Sequence, residues 1–330
     1  MNISTPVTEA LKLDAAAAVE EITGILRDQV QKDLKRRGAV VGLSGGIDSS
    51  VVAALSARAL GKDKVLGLMM PERESSGESL SLGALVADSL GIPTLVEDIT
   101  PMLDAAGCYR RRDEMVRRIV PEYGPGYRCK IVLPSLNGST YRVFSTVVQA
   151  PDGREIRARL DLEAYLGIVA ATNFKQRARK MMEYYHADRL NYAVMGTPNR
   201  LEYDQGFFVK NGDGAADAKP IAHLYKTQVY QLAEYLGIPE TVRQRPPTTD
   251  TYPMSQSQEE FYFSLPYDQM DACLYGVNHG IPADHIAAIT GVTAEQIEHV
   301  YRDIEYKRRA TRYQHMKPLL IREILEVQQA

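Results

Sequence analysis

The sequence predicts an α/β fold: an open parallel sheet with helices on both faces, an inserted antiparallel β-meander and a helical C-terminal part. Three observations carry this. Short apolar runs alternate with helix-periodic segments over the first hundred residues, the β-α-β pattern of a parallel sheet. Between about 128 and 160 the pattern changes to β-rich runs broken by the turn signals Asn137-Gly138 and Pro151-Asp152-Gly153. Beyond about 256 the pattern is helical. The chain, 1–330, reads as one domain with an insertion at about 107–160 and a helical region at about 256–330.

In order, 7–37 is expected as one amphipathic helix. Ala10, Leu13, Ala17, Ile22, Ile25 and Val30 recur near helical spacing, and Gly38 is its expected C-terminal glycine. Ala39-Val40-Val41-Gly42-Leu43 has the apolar run of a strand buried on both faces. It leads into Ser44-Gly45-Gly46-Ile47-Asp48-Ser49-Ser50 and then a helix closing at Gly61. A strand at 65–70, a helix over about 79–90 and a strand at 94–96 follow. The segment 107–123 reads as a helix whose Arg110, Arg111, Arg112, Arg117 and Arg118 form a solvated face. The alternative is a patch for a phosphorylated substrate or a partner subunit. A helix over about 161–187, a strand at 192–195 and a helix over about 226–236 resume the α/β pattern. Loops are expected at 243–257 and 277–283.

Composition limits the function classes. Hydrophobic residues make up 45% and charged residues 25%, which excludes a disordered, collagen-like or coiled-coil chain. A net charge of −3 gives no basic field to draw nucleic acid. Cys108, Cys129 and Cys273 are too scattered for a disulfide framework or a zinc knuckle. No apolar run approaches the roughly 18 residues of a membrane span. The acidic N-terminus lacks a basic-then-apolar signal, so a reducing cytoplasm is the expected compartment.

The chemistry centres on the strand-SGGIDSS-helix segment. Gly45 and Gly46 allow backbone to approach a polyphosphate closely. The following helix, with Ile47 in its first turn, points free N–H groups and its positive end at the anion. Ser44, Ser49 and Ser50 add hydroxyl donors. Asp48 would be repelled by bare phosphate, which argues for Mg²⁺ shared between carboxylate and phosphate oxygens. Neither a Walker loop nor GxGxxG occurs.

This segment resembles the pyrophosphate loop of the N-type ATP pyrophosphatases, of the adenine-nucleotide α-hydrolase type. Residues 196–226, GTPNRLEYDQGFFVKNGDGAADAKPIAHLYK, resemble the signature of the NAD synthetase family. Asn173-Phe174-Lys175-Gln176-Arg177 and Pro247-Thr248-Thr249-Asp250 match the same family. The resemblance spans roughly 20–105 and 160–315. It implies ATP-dependent amidation of deamido-NAD through an acyl-adenylate, with ammonia as donor and AMP and pyrophosphate as products. It also implies a homodimer with the dinucleotide at the subunit interface.

The residues fit that chemistry. Glu202 is a second carboxylate able to hold Mg²⁺ with Asp48. Lys226 and Lys210 can neutralise phosphate, with Lys226 on ATP and Lys210 on the acceptor. Thr197 lies just past a strand's C-terminal end, where ligands bind in such sheets. Asn173 and Arg177 share a helix face, and Arg177 offers a fork for phosphate or carboxylate. Asp213 is assigned a catalytic role with Asp48 and Lys226. Asp217 lies in the same Gly-rich loop, and Phe207 either packs in the core or lines the pyridine pocket. Thr248 sits in a Pro-rich loop that can close over ATP. The histidines show no metal spacing, and the Ser-rich 72–79 segment is expected to cap the next helix or, near the ATP site, to be mobile, with the loops near 71–80 and 243–257 as candidate lids.

Three departures bear on the acceptor. Val169 stands where the family usually has an aromatic, Tyr306-Lys307 replaces a His-Lys pair, and the meander has no counterpart in the short bacterial enzymes. Lys307 is kept as an acceptor contact. No residues remain for a glutaminase, so ammonia is expected free or from a separate protein. The rival readings are another amide-forming pyrophosphatase acting on a different carboxylate, and a non-catalytic nucleotide-binding module.

Overall fold

A computed structural model describes residues 7–132, 144–247, 252–254, 256, 262–263 and 265–324. Four parallel strands form the central sheet, in the order β3-β2-β1-β7. They are β1 (Ala39–Gly42), β2 (Val65–Met69), β3 (Thr94–Val96) and β7 (Ala193–Met195). β1 lies between β2 and β7, with Ala39 opposite both Val65 and Ala193. The antiparallel sheet β4-β5-β6 is formed by β4 (Arg128–Val132), β5 (Ser145–Gln149) and β6 (Glu155–Arg159). The expected meander is therefore present, although Asn137-Gly138 lies outside the described residues.

The helices in chain order are α1 (Val7–Ala10), α2 (Ala15–Asp28), α3 (Ile47–Leu60), α4 (Gly77–Leu90), α5 (Thr100–Ala105) and α6 (Cys108–Ile119). After the meander come α7 (Leu162–Leu190), α8 (Arg200–Gln205), α9 (Lys226–Tyr235) and α10 (Glu240–Arg243). The C-terminal group is α11 (Tyr267–His279), α12 (Ala283–Thr290) and α13 (Ala294–His315).

Side-chain alternation along the strands builds two core layers. Ala39, Val41, Val65, Met69, Ala193 and Met195 pack with α2, α3, α4 and α9 on one face. Val40, Leu66, Leu68 and Val194 pack with α5, α6 and α7 on the other. A period of two, with both phases apolar, is what a parallel sheet covered on both faces requires. The C-terminal helices form a third cluster around Phe263, Met270, Cys273, Ile297 and Ile304. The meander, α6 and α7 form a fourth around Val116, Tyr123, Cys129, Ile131, Val148 and Ile168.

Three local expectations are corrected. The segment 7–37 is not one helix: Asp14 accepts the N–H of Ala17 at 3.0 Å and starts α2 afresh. The helical path ends at Asp33 in a π-turn, and Lys35 then adopts a positive φ of 52°. Gly38 is not that helix's cap, because a Cβ there would lie 2.3 Å from the Lys64 carbonyl oxygen. The glycine is needed for close backbone approach beside β1. Similarly, α11 runs through the expected 277–283 loop as far as His279.

Candidate active site

The strand order reverses direction about β1, so a crevice opens at the C-terminal ends of β1 and β7. The 44–50 loop leaves β1 there, and Gly196-Thr197 leaves β7. Gly45 has φ 74°, and a Cβ on it would sit 2.7 Å from the Ser79 carbonyl oxygen, so the loop abuts the first turn of α4. Gly46 is the N-cap residue of α3 and offers no side chain to the first N–H groups, which leaves them for a ligand. The serines are partly engaged within the loop. Ser49 and Ser50 hydroxyls donate to the Gly46 carbonyl at 3.0 and 2.8 Å, and the Ser44 and Ser49 hydroxyls meet at 3.1 Å. The loop is thereby pre-shaped.

Asp48, Asn199, Glu202 and Lys226 converge beside it. Lys226 Nζ donates to Asp48 Oδ2, and Asn199 Nδ2 donates to Asp48 Oδ1 at 3.1 Å. Asn199 is also the N-cap of α8. Its Oδ1 accepts from the Glu202 N–H at 3.2 Å while Glu202 Oε2 accepts from the Asn199 N–H at 3.1 Å. This capping box fixes Glu202 toward Asp48. Burial, and then the Asp48 charge, push the Glu202 carboxyl well above the usual range, with Lys226 opposing. Lys226 is fully buried. Burial disfavours its charge, but Asp48 and Glu202 more than offset this and raise its pKa. Two carboxylates held together in a buried crevice are the donor set a divalent cation relieves.

Asp271 of α11 was not singled out from the sequence. It accepts the backbone N–H of Lys226 at 3.2 Å and of Thr227 at 2.7 Å, capping α9 and orienting Lys226. Burial pushes its carboxyl up to about 6. No spacing rule links position 271 to 226; only the packing of α11 on α9 does.

The crevice is a cavity of about 250 Å³ whose lining includes Ser44, Gly46, Ile47, Asp48, Thr197 and Glu202. Asp213 also lines it and accepts from the Val209 N–H at 2.8 Å. Burial raises its pKa, with Lys180 opposing. Lys180 pairs with Glu183 at 2.6 Å on the same wall. Ser75, Ser76, Ser79 and Arg245 close the opposite side, and Arg245 Nη2 donates to the hydroxyls of Ser76 and Ser79 at 3.3 and 3.1 Å.

The acceptor candidates lie apart from this lining. Asn173 and Arg177 are one turn apart on α7, and Arg177 Nε donates to the Lys210 carbonyl at 3.3 Å. Lys210 Nζ donates to the Tyr313 carbonyl at 2.8 Å. Asp217 accepts from the Val194 N–H at 2.8 Å and from the Tyr184 hydroxyl at 3.2 Å, tying its loop to β7. Phe207 stacks on Tyr262 at 4.5 Å between centroids, within the C-terminal cluster. Lys307 is buried, pairs with Asp303 at 2.9 Å and donates to the Tyr262 carbonyl at 2.5 Å. Thr248 lies outside the described residues. Among the arginines read as solvated, Arg112 is corrected: it is buried and bound to Glu74, because α6 packs that face on α7 and the 72–76 segment. The Ser-rich segment does cap the next helix, with Ser76 accepting from the Ser79 N–H at 3.3 Å.

Comparison with known proteins agrees with this arrangement. The family model described as NAD synthase matches residues 18–118 and 154–311, leaving out most of the meander. An NH(3)-dependent NAD(+) synthetase of Mesorhizobium japonicum is 63% identical over 317 residues, covering 96% of this chain and 99% of that protein. Among solved structures, NMN synthetase from Francisella tularensis has a TM-score of 0.65 at 21% identity, covering 94% of this chain and 99% of that one. The NH3-dependent NAD synthetase from Campylobacter jejuni gives a TM-score of 0.61 at 21% identity, covering 94% and 100%. These two structures share the fold, while the family match spans most of the sequence. With the family match and the 63% identical relative spanning most of the sequence, and Asp48, Glu202 and Lys226 brought together beside the 44–50 loop, the chain belongs to the NAD synthase family.

Proposed function

We infer that this chain is an ammonia-dependent NAD synthetase: it amidates deamido-NAD to NAD with ATP, releasing AMP and pyrophosphate. The observation that carries the reading is the convergence of Lys226, Asp48 and Glu202 beside the 44–50 loop at the ends of β1 and β7.

The geometry suits charge stabilisation rather than nucleophilic catalysis by the protein. A nicotinate carboxylate oxygen attacks the α-phosphorus of ATP, and the bond to the β-phosphate oxygen breaks. The α3 N-terminus, the loop serines and Lys226 take up the charge of departing pyrophosphate. Ammonia attacks the acyl carbon, a proton is lost, and AMP leaves. Asp213, on the cavity wall with a raised pKa, is placed to take that proton. Asp48 and Glu202 would hold Mg²⁺, which supplies positive charge to the phosphates. Among the described residues there is no group of three or more His, Cys, Asp or Glu side chains that could hold a metal ion by themselves. Asn173, Arg177, Phe207, Lys210, Asp217 and Lys307 are assigned to the acceptor side, and Thr248 to ATP.

The assembly proposed is a homodimer. Leu162, Leu166, Met181 and Tyr185 are 72%, 53%, 54% and 57% exposed along one stripe of α7, the stripe that also carries Arg177. A second copy covering it would seat acceptor residues at the interface. Ammonia would come free or from a separate glutaminase, in a cytoplasmic setting. No described helix is long and apolar enough to cross a membrane.

Product analysis decides the reading. Incubation with deamido-NAD, ATP, Mg²⁺ and ammonium should give NAD, AMP and pyrophosphate in equal amounts, and glutamine alone should give almost none. Absence of NAD, with turnover on another carboxylic acid, would transfer the chemistry to a different acceptor.

A further inference from the structure

Outside the catalytic cluster the protein buries a second set of charges. Lys175 of α7 is 1% exposed, and its Nζ donates to Glu72 Oε1 at 2.9 Å and Glu74 Oε2 at 2.7 Å. Arg112 of α6 is 4% exposed, and its Nη1 reaches both Glu74 oxygens at 2.7 and 2.6 Å. The Tyr109 hydroxyl donates to Glu72 Oε2 at 2.6 Å. Burial alone would push the Glu74 carboxyl up, yet Arg112 and Lys175 hold it below its ordinary value. None of these groups lines the cavity.

Such a cluster is poor value as pure stabilisation. Taking paired charges out of water costs about as much as their attraction returns, and apolar replacements of similar volume are often as stable. What an ionic cluster does supply is a unique position, because every carboxylate oxygen here is held by a particular donor, and Glu74 Oε2 by two, Lys175 and Arg112. Here the position being specified is that of the 72–79 segment. Glu72 N–H donates to Ser75 Oγ at 3.1 Å, and Ser75, Ser76 and Ser79 face the cavity. Ser79 abuts Gly45 of the 44–50 loop, and the Ser76 and Ser79 hydroxyls accept from Arg245 on the same side of the cavity. The other end of the cluster leads into the insertion. Arg112 belongs to the helix whose Val116 joins Cys129, Ile131 and Val148 of the meander in one core, and Cys129 lies within electrostatic reach of its guanidinium.

We propose that Arg112, Lys175, Glu72 and Glu74 form a positioning device by which α6 and the inserted meander hold the 72–79 wall of the cavity ready for ATP. The proposal rests on the ATP reading of that cavity. Arg112 and Glu74 are positioning residues, acting through Ser75, Ser76 and Ser79.

The test is steady-state kinetics of the full chain carrying Arg112→Met, Glu74→Gln, Arg112→Lys and the double variant Arg112→Met/Glu74→Met. Lys175 still pairs with Glu72 in all of them. The two single disruptions should raise KM for ATP by about tenfold, since misplacing a binding wall even slightly carries costs of that order or more. They should leave kcat and KM for ammonium nearly unchanged. Arg112→Lys should recover part of the ATP KM. In the double variant thermal stability should return toward wild type while the ATP KM stays high. An ATP KM that recovers together with stability overturns the proposal and leaves the cluster purely structural. An unchanged ATP KM in the single variants overturns it as well. Failure of the wild-type chain to saturate with ATP would instead remove the nucleotide reading on which the proposal stands.

Discussion

Lys226 donates its ammonium proton to Asp48 across 178 positions of sequence, and the same aspartate is held from its other oxygen by Asn199. The contact joins the first turn of α3 to the first residue of α9. It places a buried cation where the 44–50 loop ends. Because Glu202 is fixed toward Asp48 by its capping box, the cluster carries two carboxylates against one ammonium at its centre.

Replacing Lys226 by alanine should therefore damage more than one step. It removes the buried cation that the proposed function assigns to the polyphosphate, and it leaves Asp48 facing Glu202 unscreened. Activity with ATP should fall by about 10²–10³ in kcat, the usual effect of deleting one charge-stabilising donor. Deamido-NAD binding should change little. Pyrophosphate release assayed beside dinucleotide binding checks this, and an effect confined to dinucleotide affinity would move Lys226 to the acceptor side.

Glu202→Gln separates stability from activity. The folded carboxyl has its pKa raised above its ordinary 4.5, so the folded state holds its proton to higher pH than the unfolded state does. Stability is thus lost as pH climbs above about 4.5 toward the folded pKa. Glutamine keeps the capping box and removes that loss. Without metal, the variant should melt higher than wild type at pH 8 and nearly equal to it at pH 5. Mg²⁺ should raise the melting temperature of wild type and not of the variant, while turnover of the variant is abolished. Asp48→Asn should likewise lose pyrophosphate release with the fold intact.

Asp271→Ala should destabilise by about 2–4 kcal/mol, from two lost hydrogen bonds to a charged group and two uncapped N–H groups. Denaturant unfolding measures this. KM for ATP should rise as well, because Lys226 loses the anchor of its backbone.

Val169 packs with the cluster shared by α6, α7 and the meander. Val169→Phe should overpack that cluster at a cost of about 1–3 kcal/mol and weaken deamido-NAD binding. Titration of the dinucleotide checks it. Tighter binding would show that the space of the missing ring had stayed open.

Much of the architecture was legible because local rules produce it. Apolar runs of four or five residues set between helical periods specify a covered parallel sheet, and β1, β2, β3 and β7 appear within a residue or two of where the pattern puts them. The 44–50 loop was legible for the same reason, since glycines at a strand-to-helix turn have a local geometric purpose. Asp48, Glu202 and Lys226 could be chosen from spaced motifs, although nothing local says that they touch. Other features belong to tertiary structure alone. Arg112 sits on a helix face that reads as solvated until α7 and Glu74 cover it. Asp271 becomes a cap only because α11 packs on α9. Phe207 and Lys307 lie in the packing of the C-terminal helices. Sequence periodicity determines that a helix has a face; which neighbour covers that face, and so whether a charge there is solvated, paired or poised at a ligand, depends on contacts between segments far apart in the chain.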